Sequence, residues 1–324
     1  MLAQRLTSQL LAGPPARDPV AVCERLLAVQ GQDPRAVRLA VRARTRGLTA
    51  ADVDRALNDR EVLITWLNRG TLHLVRAEDY GWLHALTAPQ HRKQILRRLA
   101  QEGVEDPDRG VATIERALAD EGPLAREQLR DRVAAAGMRT EGQALIHLLA
   151  LAASRGLIVR GPMDGRQHLY VLVCDWLGEQ RPVDRDAALA ELARRYLAGH
   201  APADDRDLAK WAGIPLRDAR AGLNAIAAEV REVGAAPLPP PRLLGGYEPV
   251  LLGWASRDDV VGPHRDKITV EGLFRSFAMV DGRAVATWKL NRGELHLDPL
   301  EEIAPEVAAA LDEDAADVRR FLGL

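Results

Sequence analysis

Three stretches of this 324-residue chain repeat one theme, and the repeat limits the folds open to it. They are "RGLTAADVDRALND" (46–59), "EGPLAREQLRDRVAAAG" (121–137) and "GHAPADDRDLAKWAGIP" (199–215). Each opens on a chain break and a helix-start signal, then steps from an acid to an apolar residue. Val53 to Leu129 spans 76 residues and Leu129 to Leu208 spans 79. A repeat at that period implies related small domains rather than one large core.

The contents of each repeat agree. In the second, "VATIERALAD", "AREQLRDRVAAAG" and "GQALIHLLALAASRG" carry helical periodicity, and "LIVRGPMDGRQHLYVLV" alternates around the turn "MDGR". Three short helices followed by a hairpin is the winged-helix plan. The first repeat gives helices near 18–29, 34–45 and 50–58, then the hairpin "EVLITWLNRGTLHLVRA". The third gives helices near 184–198, 204–212 and 216–227, with a weak wing at "AEVREV". A proline linker, "GAAPLPPPR" (234–242), leads to a strand meander with turns at "DGR" and "NRG". The end, "EIAPEVAAALDEDAADVRRFLGL", reads as an acidic helical pair forming a solvated cover. The expected fold class is α+β, mainly α. Three tandem winged-helix domains (1–104, 105–182, 183–240 with the linker) precede a C-terminal β-rich domain with terminal helices (241–324).

Cys23 and Cys174 are the only cysteines, which suits a reducing compartment and excludes a Cys-based zinc site. The amphipathic N-terminus has too short an apolar run for a signal peptide, and no stretch approaches the ~18 apolar residues of a membrane span. A cytoplasmic protein is expected. Net charge is only −2, but 40 of the 44 basic residues are arginine, which a high-GC coding bias explains first and which is also the better residue for gripping phosphate. The motifs GxxxxGK[ST], HExxH and GxSxG are absent, and the eight histidines show no ligand spacing. No metal and no cofactor are expected.

Several segments resemble one family: "LLAVQGQDP", "TWLNRGTLHLV", "GYEPVLLGWASRDDVVGPHR" and "GLFRSFAMVDGRAVATW". They are similar to the bacterial AlkZ/YcaQ-like winged-helix DNA glycosylases, over roughly residues 20–290. The resemblance implies tandem winged helices, a C-terminal β-rich domain and metal-free excision of cationic alkylated purines, including the unhooking of interstrand crosslinks. It also implies that Gln30 and Gln32 are the catalytic pair. Two positions depart from the family's usual pattern: Gly31 stands between the glutamines where an apolar residue is usual, and Glu248 stands where Asp is usual.

The chemistry is consistent with that implication. An N7- or N3-alkylated purine is already cationic, so it leaves without a strong general acid. What remains is to aim a water at C1′ and to stabilise an oxocarbenium-like sugar. A carboxamide oxygen does both as a fixed dipole. In extended chain, Gln30 and Gln32 would face one space, and Gly31 lets a backbone approach. Asp33 and Pro34 then start a helix as N-cap and first residue. In that helix Arg35, Arg38, Arg42 and Arg46 recur at spacings of 3, 4 and 4, a stripe suited to phosphates or to solvent.

Double-stranded, alkylated DNA is thus the expected partner of a monomeric protein. In the first hairpin, Asn68 and Arg69 at the turn and His73 on the strand are candidate DNA contacts. His264 and Arg265, with Arg257 and Lys267, form either a phosphate grip or an ordinary charged loop. "HRKQILRR" (91–98) reads as a solvated helix face. Trp66 and Tyr247 are candidates for base stacking or for the core. The alternative function is a non-catalytic tandem winged-helix regulator. The nearly all-apolar helix "GQALIHLLALAASRG" argues against it, because a recognition helix needs base-reading side chains.

Overall fold

The computed structural model describes residues 1–324. Helix predominates over strand, as expected of a mainly α, α+β chain. Two compact units are present, and each is discontinuous in sequence. One comprises Met1–Val53, Leu189–Trp211 and Pro215–Leu324; the other comprises Asp54–Ala188 with Ala212–Ile214.

In the second unit, Asp106 caps the helix Pro107–Glu121 through the Arg109 amide, at 2.9 Å. The helices Arg126–Ala135 and Ala144–Ser154 follow, then a hairpin of Ile158–Asp164 and Gln167–Leu172. The order of three helices and a hairpin matches the sequence expectation for this segment. Ala144–Ser154 is buried at Leu145, Leu148, Leu149 and Leu151, so its apolar sequence is spent on core packing.

The first hairpin, Val62–Leu67 with Thr71–Arg76, was expected to be the wing of a domain ending at residue 104. It is instead built into the same sheet, where Ile64 pairs antiparallel with Arg160. Within this unit the strands run in the order 71–76, 62–67, 158–164, 167–172, 124–125. Strand pairing therefore bridges the expected boundary at 104/105. All six residues of Val62–Leu67 are buried, as expected of a strand with a partner on each edge.

In the first unit, Asp18 caps Pro19–Leu26 and Asp33 caps Pro34–Arg42, each ahead of a proline. The third repeat forms Arg185–His200, Asp205–Ala212 and Leu216–Ala225, of which this unit takes Leu189–Trp211 and the residues from Pro215 on. Residues 228–233 form no strand, so this repeat has no wing. The C-terminal meander is a four-stranded antiparallel sheet in the order Glu294–Pro299, Arg283–Asn291, Phe277–Val280, Arg242–Leu244. Its inner face joins a core that includes Leu6, Leu244, Val250, Trp254, Phe277 and Met279.

The terminal segment is one helix, Pro305–Leu322, and not a solvated pair. Leu311, Ala315, Val318 and Phe321 are buried along one stripe, so this helix is a packed part of the unit.

Candidate active site

The glutamine pair sits where a short strand hands over to a helix. Val29–Gln30 is extended, Gln32 and Asp33 lie in a bend, and Pro34 starts the helix. Asp33 keeps extended angles, φ −114° and ψ 123°, and its Oδ1 accepts from the Ala36 amide at 2.7 Å. The paired strand ends at Gln30, and the two side chains do not share one environment. Gln30 is 8% exposed, whereas Gln32 is exposed.

The expected arginine stripe divides the same way. The helix Pro34–Arg42 buries every residue from Ala36 to Arg42. Arg35 is exposed and has no ion-pair partner. Arg38 is 7% exposed, and its Nη1 donates to the Pro34 carbonyl at 2.7 Å. Arg42 is held between Asp314 and Asp317 of the terminal helix and also donates to the Leu243 carbonyl at 3.2 Å. Asp314 uses its other oxygen to accept from the Leu243 amide, at 2.7 Å. Arg38 and Arg42 are thus corrected from DNA contacts to internal ties. The acids that neutralise Arg42 come from a segment 272 and 275 residues away in sequence.

Behind this helix lies a buried ionic knot. Arg44 and Glu248 are both fully buried and meet at 2.5 Å. Arg44 also donates to the carbonyls of Gln9 and Ala40, each at 2.8 Å. The position where Asp is usual in the resembled family is therefore a structural partner of the helix next to the glutamines.

A cleft of about 580 Å³ opens from the start of the same helix. Asp33, Arg35, Ala36 and Leu39 line one wall, and Gly246, Tyr247 and Phe274 line another. The strand residues Thr287, Trp288, Lys289 and Asn291, with Arg275, complete it. Glycine makes the close fit possible: a Cβ on Gly245 would come within 3.1 Å of the Leu39 Cβ and 3.3 Å of the Ala36 Cα. Tyr247 and Phe274 form a tilted ring pair with centroids 5.8 Å apart, and Arg257 covers Phe274 at 4.8 Å. Burial, then the Asp33 carboxylate, push the Tyr247 phenol up, so it stays a neutral donor. Trp288 is anchored by its indole N–H on the Leu244 carbonyl, at 2.8 Å.

In the second unit the first hairpin turns tightly at Asn68–Gly70. Asn68 and Arg69 adopt φ of +25° and +22°, a left-handed strain that Asn tolerates better than Arg. The turn is not a free probe. Asn68 is fully buried, Arg69 is half-buried, and a Cβ on Gly213 would lie 2.7 Å from the Arg69 amide nitrogen. Both polar atoms of the Asn68 amide lack a protein partner. An exposed minor-groove wedge at Asn68 and Arg69 is therefore corrected to a packed turn.

His73 is 1% exposed, and its Nδ1 donates to the Thr71 carbonyl at 2.9 Å, leaving Nε2 as an acceptor. Burial first, then the Arg69 guanidinium, lower its pKa to about 3. His73 is thus a neutral, fixed side chain.

In the first unit, His264 meets Glu301 at 3.2 Å and exposed Arg265 meets Asp258 at 3.4 Å, so both of these side chains of the expected phosphate grip face an acid. Neither lines the cleft. Trp66 is a core residue at 8% exposure, whereas Tyr247 faces the cleft. Sequence reading did not single out Arg275, Lys289 and Asn291. The available signal was the alternation of Thr287, Lys289 and Asn291 on one strand face beside the "NRG" turn. No three His, Cys, Asp or Glu side chains are grouped to hold a metal ion.

A mainly helical chain with a glutamine pair at a strand–helix junction beside a cation-lined cleft is the setting for family assignment. The model of the family described as DNA glycosylase AlkZ-like matches residues 23–321, and the chain belongs to that family. An interstrand DNA cross-link repair glycosylase of Streptomyces sahachiroi is 26% identical over 358 residues, spanning 100% of this chain and 96% of that protein. The solved structure of Streptomyces sahachiroi DNA glycosylase AlkZ shares the fold. Its TM-score is 0.79 at 24% identity, over 100% of this chain and 96% of that one.

Proposed function

We propose that this protein hydrolyses the N-glycosidic bond of cationic N7- or N3-alkylated purines in duplex DNA, with Gln30 and Gln32 as its catalytic residues. The reading extends to unhooking interstrand crosslinks, the activity named for the Streptomyces relative. It includes tandem winged helices as the DNA-binding frame.

The observation that carries the reading is the asymmetry of the pair. Gln30 is buried at a strand end, while Gln32 is exposed beside the cleft wall at Asp33. A buried carboxamide is a preorganised dipole for positive charge developing on the sugar. An exposed one is placed to orient a water.

The step balances without an acid. The water oxygen bonds to C1′, the electron pair of the C1′–N bond passes into the purine and cancels its positive charge, and the water proton leaves to solvent. Neutral purines lack that sink and are poor substrates.

The test is release of free base from duplex DNA carrying N7-methylguanine. Release by the wild type, abolished in a Gln30→Ala, Gln32→Ala double variant that still binds DNA, supports the assignment. Equal release by the double variant sinks it. Sequence-specific affinity for undamaged DNA without base release would favour a regulator.

A further inference from the structure

The cleft beside the glutamines holds more cation than the structure neutralises. Arg35, Arg275 and Lys289 are all exposed, and none has an ion-pair partner. Many other surface arginines in this chain are paired: Arg132 with Glu121, Arg194 with Glu229 and Arg220 with Asp205 are examples. The one carboxylate lining the cleft, Asp33, already caps its helix. Three positive charges converging on one concavity repel each other, and an anion relieves that repulsion.

Aromatic surface is concentrated here as well. The chain has six Trp, four Tyr and three Phe, and three of these thirteen, Tyr247, Phe274 and Trp288, line the cleft. Cations around an aromatic floor are the two elements that hold unpaired nucleic acid. The volume of about 580 Å³ lies in the range of small-ligand pockets. The sign of the charge also excludes an occupant, since a cationic alkylated base would be repelled. A neutral base with its phosphate is favoured.

We propose that this cleft holds one unpaired nucleotide of the DNA strand being processed, its base against Tyr247 and Phe274 and its phosphate among Arg35, Arg275 and Lys289. This rests on DNA being the substrate, but not on the roles of Gln30 and Gln32. Asn291, Ser276 and Thr287 supply hydrogen-bonding groups along the lining. The cleft wall begins at Asp33, one residue after Gln32.

The experiment compares two labelled, undamaged duplexes by fluorescence anisotropy, one fully paired and one with a short unpaired bulge. The wild type is expected to favour the bulged duplex by about tenfold, the scale of one stacked base. Tyr247→Leu is expected to remove that preference and keep the affinity for paired DNA, and Tyr247→Phe to retain both. The exposed double variant Arg275→Ala, Lys289→Ala is expected to lower the salt dependence on bulged DNA by about 1.4 in log–log slope.

Equal wild-type affinity for the two duplexes overturns the proposal, as does an unchanged preference and slope in the double variant. Base release from alkylated duplex is measured separately. A protein that releases base without bulge preference retains its glycosylase reading and loses this one, and the converse result separates them equally well.

Discussion

Arg35 and Arg42 lie on one helix, two turns apart, and the structure assigns them opposite fates. Replacing each with alanine separates the two in one pair of measurements. Arg35 is exposed and unpaired at the cleft rim, so under the proposed nucleotide-holding role its loss removes one phosphate contact and little else. On the bulged duplex one unpaired-strand contact is worth about 0.7 in the slope of log affinity against log salt, or about 2.6-fold over a fourfold salt range. Arg42 is 5% exposed and holds two carboxylates.

Removing one partner of a buried ion pair costs about 3–5 kcal/mol. The lower end applies here. Asp317 is 43% exposed and rehydrates, and Asp314 keeps its bond from the Leu243 amide. Arg42→Ala is therefore expected to lose about 3 kcal/mol of stability with an unchanged salt slope. Arg35→Ala is expected to lose about 0.7 of slope on the bulged duplex with an unchanged unfolding midpoint. Thermal denaturation and anisotropy titrations at several salt concentrations read both quantities. A reduced slope with full stability in Arg42→Ala would refute the burial argument.

Three further outcomes are expected. Gln30→Ala and Gln32→Ala should each slow base release about 10²- to 10³-fold in single-turnover assays while leaving DNA affinity intact, the usual cost of one preorganised polar group. For His73, a folded pKa near 3 against 6.5 unfolded means the unfolded chain binds the extra proton between those values. Stability therefore falls as pH drops below 6.5, by about 3 kcal/mol at pH 4, and His73→Gln should flatten that acid limb in pH-dependent denaturation. Gly213→Ala should destabilise by about 1–3 kcal/mol, because its Cβ meets the Arg69 amide nitrogen at 2.7 Å and its own φ is +69°. Wild-type stability in that variant would show that the hairpin turn yields freely.

What the sequence disclosed was mostly local. Asp33 before Pro34 fixes the helix start by chemistry confined to four residues, and Asp18–Pro19 and Asp106–Pro107 repeat it. The hairpin turns at 68–70 and 291–293 are equally legible, because glycine after two polar residues is turn chemistry. The partners of these elements were hidden. Arg42 reads as a surface cation until Asp314 and Asp317 arrive from a distant helix. The boundary at 104/105 fails because Ile64 pairs with Arg160, and nothing near either residue encodes the other. The stripe Leu311, Ala315, Val318 was periodic and readable as a packed face, but the surrounding acids masked it. The cleft was obscured for the same reason as Arg42, since Arg35, Tyr247, Arg275 and Lys289 come from four separate segments.

The tie between Arg42 and Asp317 also has a meaning in time. A ribosome adding about 5–20 residues per second makes the arginine roughly 15–55 s before the carboxylate 275 positions later. Throughout that interval the helix next to the glutamine pair carries a cation with no neutralising acid, so it has reason to stay solvated rather than pack. The segment that carries the glutamine pair is thus made well before the helix that locks it. A half-made polypeptide would present nascent arginines to the cell before the acids that neutralise them exist.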